Sequence, residues 1–143
     1  MKLTQDEIKK IIPHRDPFLF LDEITELETL KYAVGIKHVK ADEFYFKGHF
    51  PDKPVVPGVI LVETIAQVGA VVLLSDEKYK GKIAYFTGIK NAKFRKSVIP
   101  NDTVVFKCEL TKIKGAFGFG KGEAYVKNDL VLEVDISFAV GND

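Results

Sequence analysis

A histidine and a glutamate in the most hydrophobic part of the chain are the first candidates for chemistry. His49 opens a loop in which prolines recur at every third position, and Glu63 lies within the apolar run Val59–Leu74. Prolines leave the backbone few conformations, so we expect the loop to hold the histidine ring rigidly. Burial should raise the pKa of Glu63, which would let its carboxyl donate a proton near neutral pH. Such a base and acid suit proton abstraction beside a carbonyl, with loss or gain of a hydroxyl group.

Two further residues of this stretch could assist the same chemistry. Gly58 stands at the predicted start of a helix, where backbone N–H groups lack a helical partner and could stabilise an oxyanion. Gln67 lies one helical turn after Glu63, on the same face. A structural alternative remains open, because an isolated buried carboxyl is more often hydrogen-bonded, here by Gln67 or a backbone donor, for structure alone.

The elements that must position these residues follow from simple sequence patterns. Pro57 predicts the first turn of a helix that continues to Leu74 and, being apolar nearly all round, is enclosed. Thr4 and Glu7 form a capping box for a short helix that ends near Pro13. Two β-rich segments on either side of residues 29–31 predict a hairpin.

The remainder of the chain reads as β-structure. From Lys82 onward, five segments rich in β-branched and aromatic residues are separated by turn signals such as Pro100 and Asn128. Adding the hairpin gives about six or seven strands. One enclosed helix with that many strands predicts an α+β fold in which an antiparallel β-sheet wraps around a single long central helix.

Composition limits the class of protein. The 143 residues are 46% hydrophobic, which predicts one domain over residues 1–143 with a sizeable core. A net charge of +1 gives no global attraction for nucleic acid or anionic membranes. The lone Cys108 and an N-terminus without an apolar signal segment favour a cytoplasmic protein, and the acid within Val59–Leu74 argues against a membrane span. His14 and His38 lack companions at metal-ligand spacing, so we expect no metal or cofactor.

The stretch "GHFPDKPVVPGVILVETIAQ" resembles the active-site motif of the (3R)-hydroxyacyl-[acyl-carrier-protein] dehydratases of type II fatty acid synthesis. Two other blocks, "IIPHRDPFLFLDEI" and "YFTGIKNAKFRKSVIPND", are also similar to this family, so the resemblance extends over about residues 4–140. The chain departs from the family at Asp16, where many members carry tyrosine. Because that position carries no catalytic group, we expect only local packing to differ.

The resemblance implies a hot-dog fold and a role for each matched residue. His49 would be the catalytic base and Glu63 the acid, the Gly58 N–H would polarise the thioester carbonyl, and the Val55 carbonyl would orient the His49 ring. The implied assembly is a homodimer in which each site combines the histidine of one chain with the acid of the other, and a trimer of dimers beyond it. The implied partner is an acyl carrier protein bearing a 3-hydroxyacyl thioester.

Two pairs of residues outside the motif are candidates for substrate contacts. Tyr85 and Phe86 could line or gate an acyl tunnel, although core packing is the slightly favoured explanation for Phe86, since an aromatic residue in a β-strand usually packs. Arg95 and Lys96 belong to a basic segment that could dock an acidic carrier protein, although most charged runs are solvated surfaces.

Other functions compete with the dehydratase interpretation. A hot-dog thioesterase would use the same thioester, a related dehydratase that also isomerises its product carries aspartate in place of Glu63, and a carrier-binding module could have a dead site. The presence of both His49 and Glu63 favours the simple dehydratase. The phosphate-loop pattern Gly115–Lys121 fails because Gly122 replaces the required Ser or Thr, so a glycine-rich hairpin or bulge is the better interpretation.

Overall fold

The computed structural model describes residues 1–141. Three shorter strands and two α-helices come first along the chain, and four long strands follow. In chain order they are β1 (Leu3–Thr4), α1 (Gln5–Lys9), β2 (Glu23–Glu28), β3 (Tyr32–His38), α2 (Gly58–Leu74), β4 (Ile83–Phe94), β5 (Thr103–Lys114), β6 (Phe117–Val126) and β7 (Asp129–Gly141). Two short 3₁₀ turns cover Phe44–Lys47 and Glu77–Tyr79.

The seven strands form one sheet in the order β1-β2-β3-β5-β6-β7-β4, and each neighbouring pair is antiparallel. The predicted α+β class and antiparallel sheet are therefore confirmed. The predicted hairpin is the pair β2 and β3, joined through Leu30 at a positive φ of 64°. Strand β4 pairs only with β7, so it forms an edge of the sheet.

Helix α2 lies against the sheet and is enclosed as predicted. Every residue from Thr64 to Leu74 is buried, including Gln67 at 0% exposure. The sequence places Pro57 within the first helical turn, whereas the structure places it one residue earlier, at the N-cap. Among residues 1–141, the helices are too short or too polar to cross a membrane.

Glycines on one face of β6 let α2 approach the sheet closely. Gly118, Gly120 and Gly122 alternate along the strand, and their buried positions face the helix side. A Cβ atom on Gly122 would overlap the Cγ2 methyl of Ile65 on α2. The glycine-rich pattern therefore reflects helix-to-sheet packing along β6, and only Gly115, with φ of 60°, serves the hairpin turn.

Strand β4 corrects one expectation from the sequence. The segments "KIAYFTGI" and "AKFRKSV" read as two strands, but the first segment and the start of the second form the single strand β4, which has a register shift between Lys90 and Lys93 and ends at Phe94, so that residues 95–98 lie outside it. Asn91 occupies a positive φ of 54° at this irregularity. A residue type that tolerates left-handed backbone there produces a bulge, not the end of a strand. At the N-terminus, the predicted capping box of Thr4 and Glu7 is present.

Candidate active site

The loop before α2 holds His49 by hydrogen bonds that close within seven residues. The Val55 N–H donates to the His49 carbonyl oxygen at 3.1 Å, and Phe50 and Lys53 exchange a reciprocal backbone pair at 3.2 and 3.0 Å. The Val56 N–H donates to the Val98 carbonyl oxygen at 2.8 Å, which ties the loop to the segment after β4. The proline-rich loop thus has a defined path, and the His49 backbone is fixed at its start.

The His49 ring has one nitrogen engaged and one available. Its Nδ1 lies 2.8 Å from the Val55 carbonyl oxygen. Because a carbonyl can only accept, Nδ1 carries the proton and Nε2 is left with its lone pair. The ring also stacks on Phe50, with centroids 4.0 Å apart. In the neutral tautomer that this hydrogen bond selects, Nε2 is the nitrogen that can act as a base.

A cavity of about 370 Å³ beside His49 also contains the start of α2. Gly58 is the first residue of the helix, so its N–H has no acceptor within α2. The ring of Phe94 lies directly over Gly58, and a Cβ atom there would be only 2.6 Å from the ring. No sequence pattern singled out Phe94, because an aromatic residue at the end of a strand usually packs in the core.

Glu63 is held by a separate set of side chains. Gln67 donates from Nε2 to Glu63 Oε2 at 3.0 Å and to the Phe18 carbonyl oxygen at 2.8 Å. Its Oε1 accepts from the Phe20 N–H at 3.0 Å, so the buried amide is satisfied on both sides. Gln67 therefore connects the acid on α2 to the loop that follows α1.

The Glu63 carboxyl faces a second cavity of about 370 Å³. Burial raises the pKa of Glu63, and the hydrogen bond from Gln67 opposes this only in part. The walls are mostly apolar and include Tyr85 and Phe86 from β4, the two residues predicted to line a tunnel. Phe86 also packs near Phe138, with ring centroids 6.1 Å apart. A carboxyl in this environment can remain protonated at a higher pH than an exposed one.

His14 is an unexpected neighbour of Glu63. Its Nε2 lies 3.6 Å from Glu63 Oε2, and both residues line the same cavity. The sequence offered no spacing rule that could pair them, because the contact joins a loop to a helix far along the chain. Its position in the block "IIPHRDPFLFLDEI" was the one signal available.

Within one chain, the structure does not bring His49 and Glu63 into the same cavity. The cavity beside His49 does not include Glu63, and the cavity beside Glu63 does not include His49. Glu63 lies five positions after Gly58, which places the two residues about 140° apart around the helix axis. The base with its helix terminus and the acid with its partners thus form two separate half-sites.

The basic residues predicted to dock a carrier protein are exposed and already paired. Arg95 contacts Glu133 Oε2 through Nη2 at 3.0 Å and Nε at 3.2 Å, and Lys96 contacts Asp129 Oδ2 at 3.1 Å. Both pairs lie on the surface, where such contacts contribute little to stability. Their positive charge is therefore partly balanced within the chain.

Two other observations narrow the search for the site. A larger cavity, about 850 Å³, is an open depression at the turns 100–103 and 125–128, and its lining includes neither half-site. The two smaller cavities are the candidate active site because they contain the predicted base and acid. Within residues 1–141, no three histidine, cysteine or acidic side chains lie close enough together to hold a metal ion.

Comparison with known families defines the class of protein. The chain matches the FabA-like domain over residues 12–135 and belongs to this family. It is 58% identical over 139 residues to the 3-hydroxyacyl-[acyl-carrier-protein] dehydratase FabZ of Clostridium botulinum (strain Loch Maree / Type A3), covering 97% of this chain and 96% of that protein. The FabZ protein of Clostridium novyi (strain NT) is 51% identical, covering 99% of each chain.

Solved structures support the fold. The dehydratase heterocomplex ApeI:P from Xenorhabdus doucetiae contains a chain that superposes with a TM-score of 0.78 at 15% identity, covering 95% of this chain and 91% of that one. The family resemblance and the hot-dog fold predicted from the sequence are confirmed.

Proposed function

We propose that this chain dehydrates a (3R)-hydroxyacyl group carried by an acyl carrier protein to the trans-2-enoyl product in fatty acid synthesis. The observation that carries the proposal is 58% identity along almost the whole chain to a 3-hydroxyacyl-[acyl-carrier-protein] dehydratase. Two features support the same reaction. The hydrogen bond from His49 Nδ1 leaves Nε2 to act as a base, and burial raises the pKa of Glu63 so that it can act as an acid. The predicted class of activity is borne out by these relatives.

In the proposed mechanism, His49 is the base and Glu63 is the acid. The thioester carbonyl binds at the Gly58 N–H, where the helix terminus stabilises negative charge developing on oxygen. His49 Nε2 removes a C2 proton, the C2–C3 double bond forms, and the C3–O bond breaks. Glu63 protonates the leaving hydroxyl, which departs as water. Transfer of the proton from His49 to Glu63, directly or through a water molecule, restores both groups.

A second copy of the chain can complete the site, and the geometry of β4 supports this. The Glu63 cavity touches the beginning of β4 at Tyr85, whereas the His49 cavity touches its end at Phe94. The strand is an edge and exposes large apolar side chains, with Tyr85 at 43%, Ile89 at 54% and Phe94 at 54%. Antiparallel pairing of two β4 strands would set the beginning of one beside the end of the other. Each site would then take His49 from one protomer and Glu63 from its partner.

Mixing two inactive variants tests this shared site. His49→Ala and Glu63→Gln should be co-expressed with different tags and purified through both tags. A mixed dimer keeps one intact pair, so we expect roughly a quarter to a half of wild-type crotonyl-thioester hydration. Each variant alone and a doubly tagged wild-type dimer serve as controls. Absence of recovery in a verified mixed dimer would contradict the shared site without affecting the assignment of the two residues.

The partner and the cellular location are part of the proposal. An acidic carrier protein would meet the exposed basic residues Arg95 and Lys96 near the end of β4. The lone cysteine, Cys108, is buried, and burial raises the pKa of its thiol to about 12. Such a thiol neither ionises nor forms a disulfide, which fits a cytoplasmic location. A trimer of dimers is the assembly that we propose on the basis of family resemblance.

The thioesterase and isomerase alternatives are less well supported. The relatives carry the dehydratase name, and Glu63 occupies the position where the isomerising enzymes carry aspartate. Measurement of free thiol release from an acyl thioester separates hydrolysis from dehydration. The position of the product double bond then separates simple dehydration from isomerisation.

A further inference from the structure

We propose that His14 is a positioning residue for Glu63, which restrains the carboxyl in the orientation needed to protonate the leaving hydroxyl. This inference rests on the proposed function, because it assigns His14 a role only through the acid. The arrangement is distinct from the hydrogen bond that His49 makes in the other half-site.

The geometry gives His14 one polar contact of consequence. Its Nε2 lies 3.6 Å from Glu63 Oε2, and the two side chains are similarly enclosed, at 23% and 21% exposure. This separation is longer than a hydrogen bond of about 3 Å, so the ring limits where the carboxyl can swing instead of locking it. The same oxygen accepts the hydrogen bond from Gln67, so two side chains act on a single carboxyl atom.

The opposite edge of the His14 ring is not held by a hydrogen bond. Its Nδ1 is buried and has no hydrogen-bond partner among residues 1–141. Buried polar atoms usually have a partner, because leaving one unsatisfied costs its full desolvation. Because Nδ1 makes no hydrogen bond, a bond at this atom does not explain why the ring lies where it does. The contact of Nε2 with Glu63 is the polar interaction that explains the position of the ring.

The loop that carries His14 is firmly attached on both sides. The Arg15 guanidinium donates to the carbonyl oxygens of Lys9, Ile12 and His14 at 2.9, 2.9 and 2.7 Å. Gln67 fastens the loop to α2 through Phe18 and Phe20. The imidazole therefore faces Glu63 from a backbone whose position relative to α2 is defined.

The charge state of the ring suits this role. Burial, and then the nearby Arg15 charge, lowers the pKa of His14, so the ring is neutral at neutral pH. A cation at this distance would stabilise the Glu63 carboxylate and weaken it as an acid. A neutral imidazole can restrain the carboxyl without withdrawing its proton.

A double-mutant cycle tests the inference. His14→Asn removes the Nε2 edge, whereas His14→Gln can place an amide near the position of Nε2. We expect His14→Asn to lower kcat roughly ten- to a hundredfold with little change in KM, and His14→Gln to retain most of the activity. In a Glu63→Gln background, measured at high enzyme concentration, His14→Asn should cause no further loss, because the group through which it acts is already gone.

The controls separate positioning from folding. His38→Asn changes an exposed histidine on β3, whose ring contacts the Thr103 hydroxyl through Nδ1, and should leave kcat unchanged. The thermal midpoint of each variant is measured, and if His14→Asn does not fold, His14→Phe, which keeps a ring without nitrogen atoms, takes its place in the cycle.

Each outcome decides between specific assignments. Equal losses in both backgrounds, equal losses for the Asn and Gln variants, or no loss at all would overturn the role of His14. If Glu63→Gln keeps wild-type activity, the acid assignment of the proposed function fails as well. If Glu63→Gln is impaired while His14→Asn is fully active, only the inference about His14 is wrong.

Discussion

The two half-sites are built in different ways. The His49 half is mainly local, because the ring, the Val55 carbonyl that accepts its hydrogen bond and most of the loop hydrogen bonds fall within residues 49–55, with one further tie from Val56 to Val98. The Glu63 half is assembled from distant parts of the chain, with Gln67 on α2, His14 and Phe18 in the loop after α1, and Phe86 on β4. One rigid loop is thus enough to prepare a base, whereas a buried acid needs several distant parts of the fold around it.

Removal of the proposed base or the proposed acid should reduce activity more than any other substitution. His49→Ala and Glu63→Gln should each lower the rate of crotonyl-thioester hydration by about 10² to 10⁴-fold, because a general base or acid typically contributes that much. Both variants should keep the wild-type circular dichroism spectrum, since neither residue lies in the fully buried core. A near-wild-type rate in either variant would remove that residue from the mechanism.

The close packing of α2 against β6 offers a second way to disturb the Glu63 half. Gly122→Ala should destabilise the protein by about 1–3 kcal/mol, because its Cβ would overlap Ile65 and overpack the core. Gly48→Ala is a matched control, since a Cβ there meets no atom within 4 Å and its φ of −111° is ordinary. Urea unfolding measures both variants. Equal stability of the two would mean that the sheet adjusts to a larger residue.

The surroundings of α2 show which features of the molecule could be predicted from the sequence and which could not. The apolar run and the prolines before it were enough to predict α2, its burial and the candidate base and acid, because these depend on local patterns. The role of the β6 glycines and the contact of His14 with Glu63 were not predictable, since both depend on which strand or loop meets α2 in space. The bulge at Asn91 was missed for a related reason, because a turn-forming residue can bend a strand without ending it.

A smaller effect concerns delivery of the substrate to the two halves. Arg95→Glu should raise KM for a carrier-bound substrate several-fold at low salt, and leave KM for a small thioester unchanged, because charge complementarity acts on docking. Lys31→Glu is the matched control, an exposed lysine paired with Glu28 at the turn between β2 and β3. An unchanged KM for the carrier-bound substrate would exclude Arg95 from the docking surface.

The smallest effect is a pH dependence of stability that belongs to the Glu63 half alone. Burial raises the pKa of Glu63 in the folded protein, so the stability present when the carboxyl is protonated is lost as pH rises through that folded value. Glu63→Gln has no charge to bury. Its thermal midpoint should therefore exceed that of the wild type at about pH 8 and approach it at about pH 4. A constant difference across this range would show that the carboxyl is not desolvated.

The exposed edge of β4 has a consequence for the newly made chain. Its outer backbone groups are unpaired within the sheet, and Tyr85, Ile89 and Phe94 stand exposed along the same strand. A long edge of this kind is a template for any other extended segment, so a lone protomer is prone to aggregate until the edge is covered. Association of two protomers would then provide a soluble protein and a complete site in the same step. Dilution to concentrations at which the protomers separate should reduce both solubility and activity.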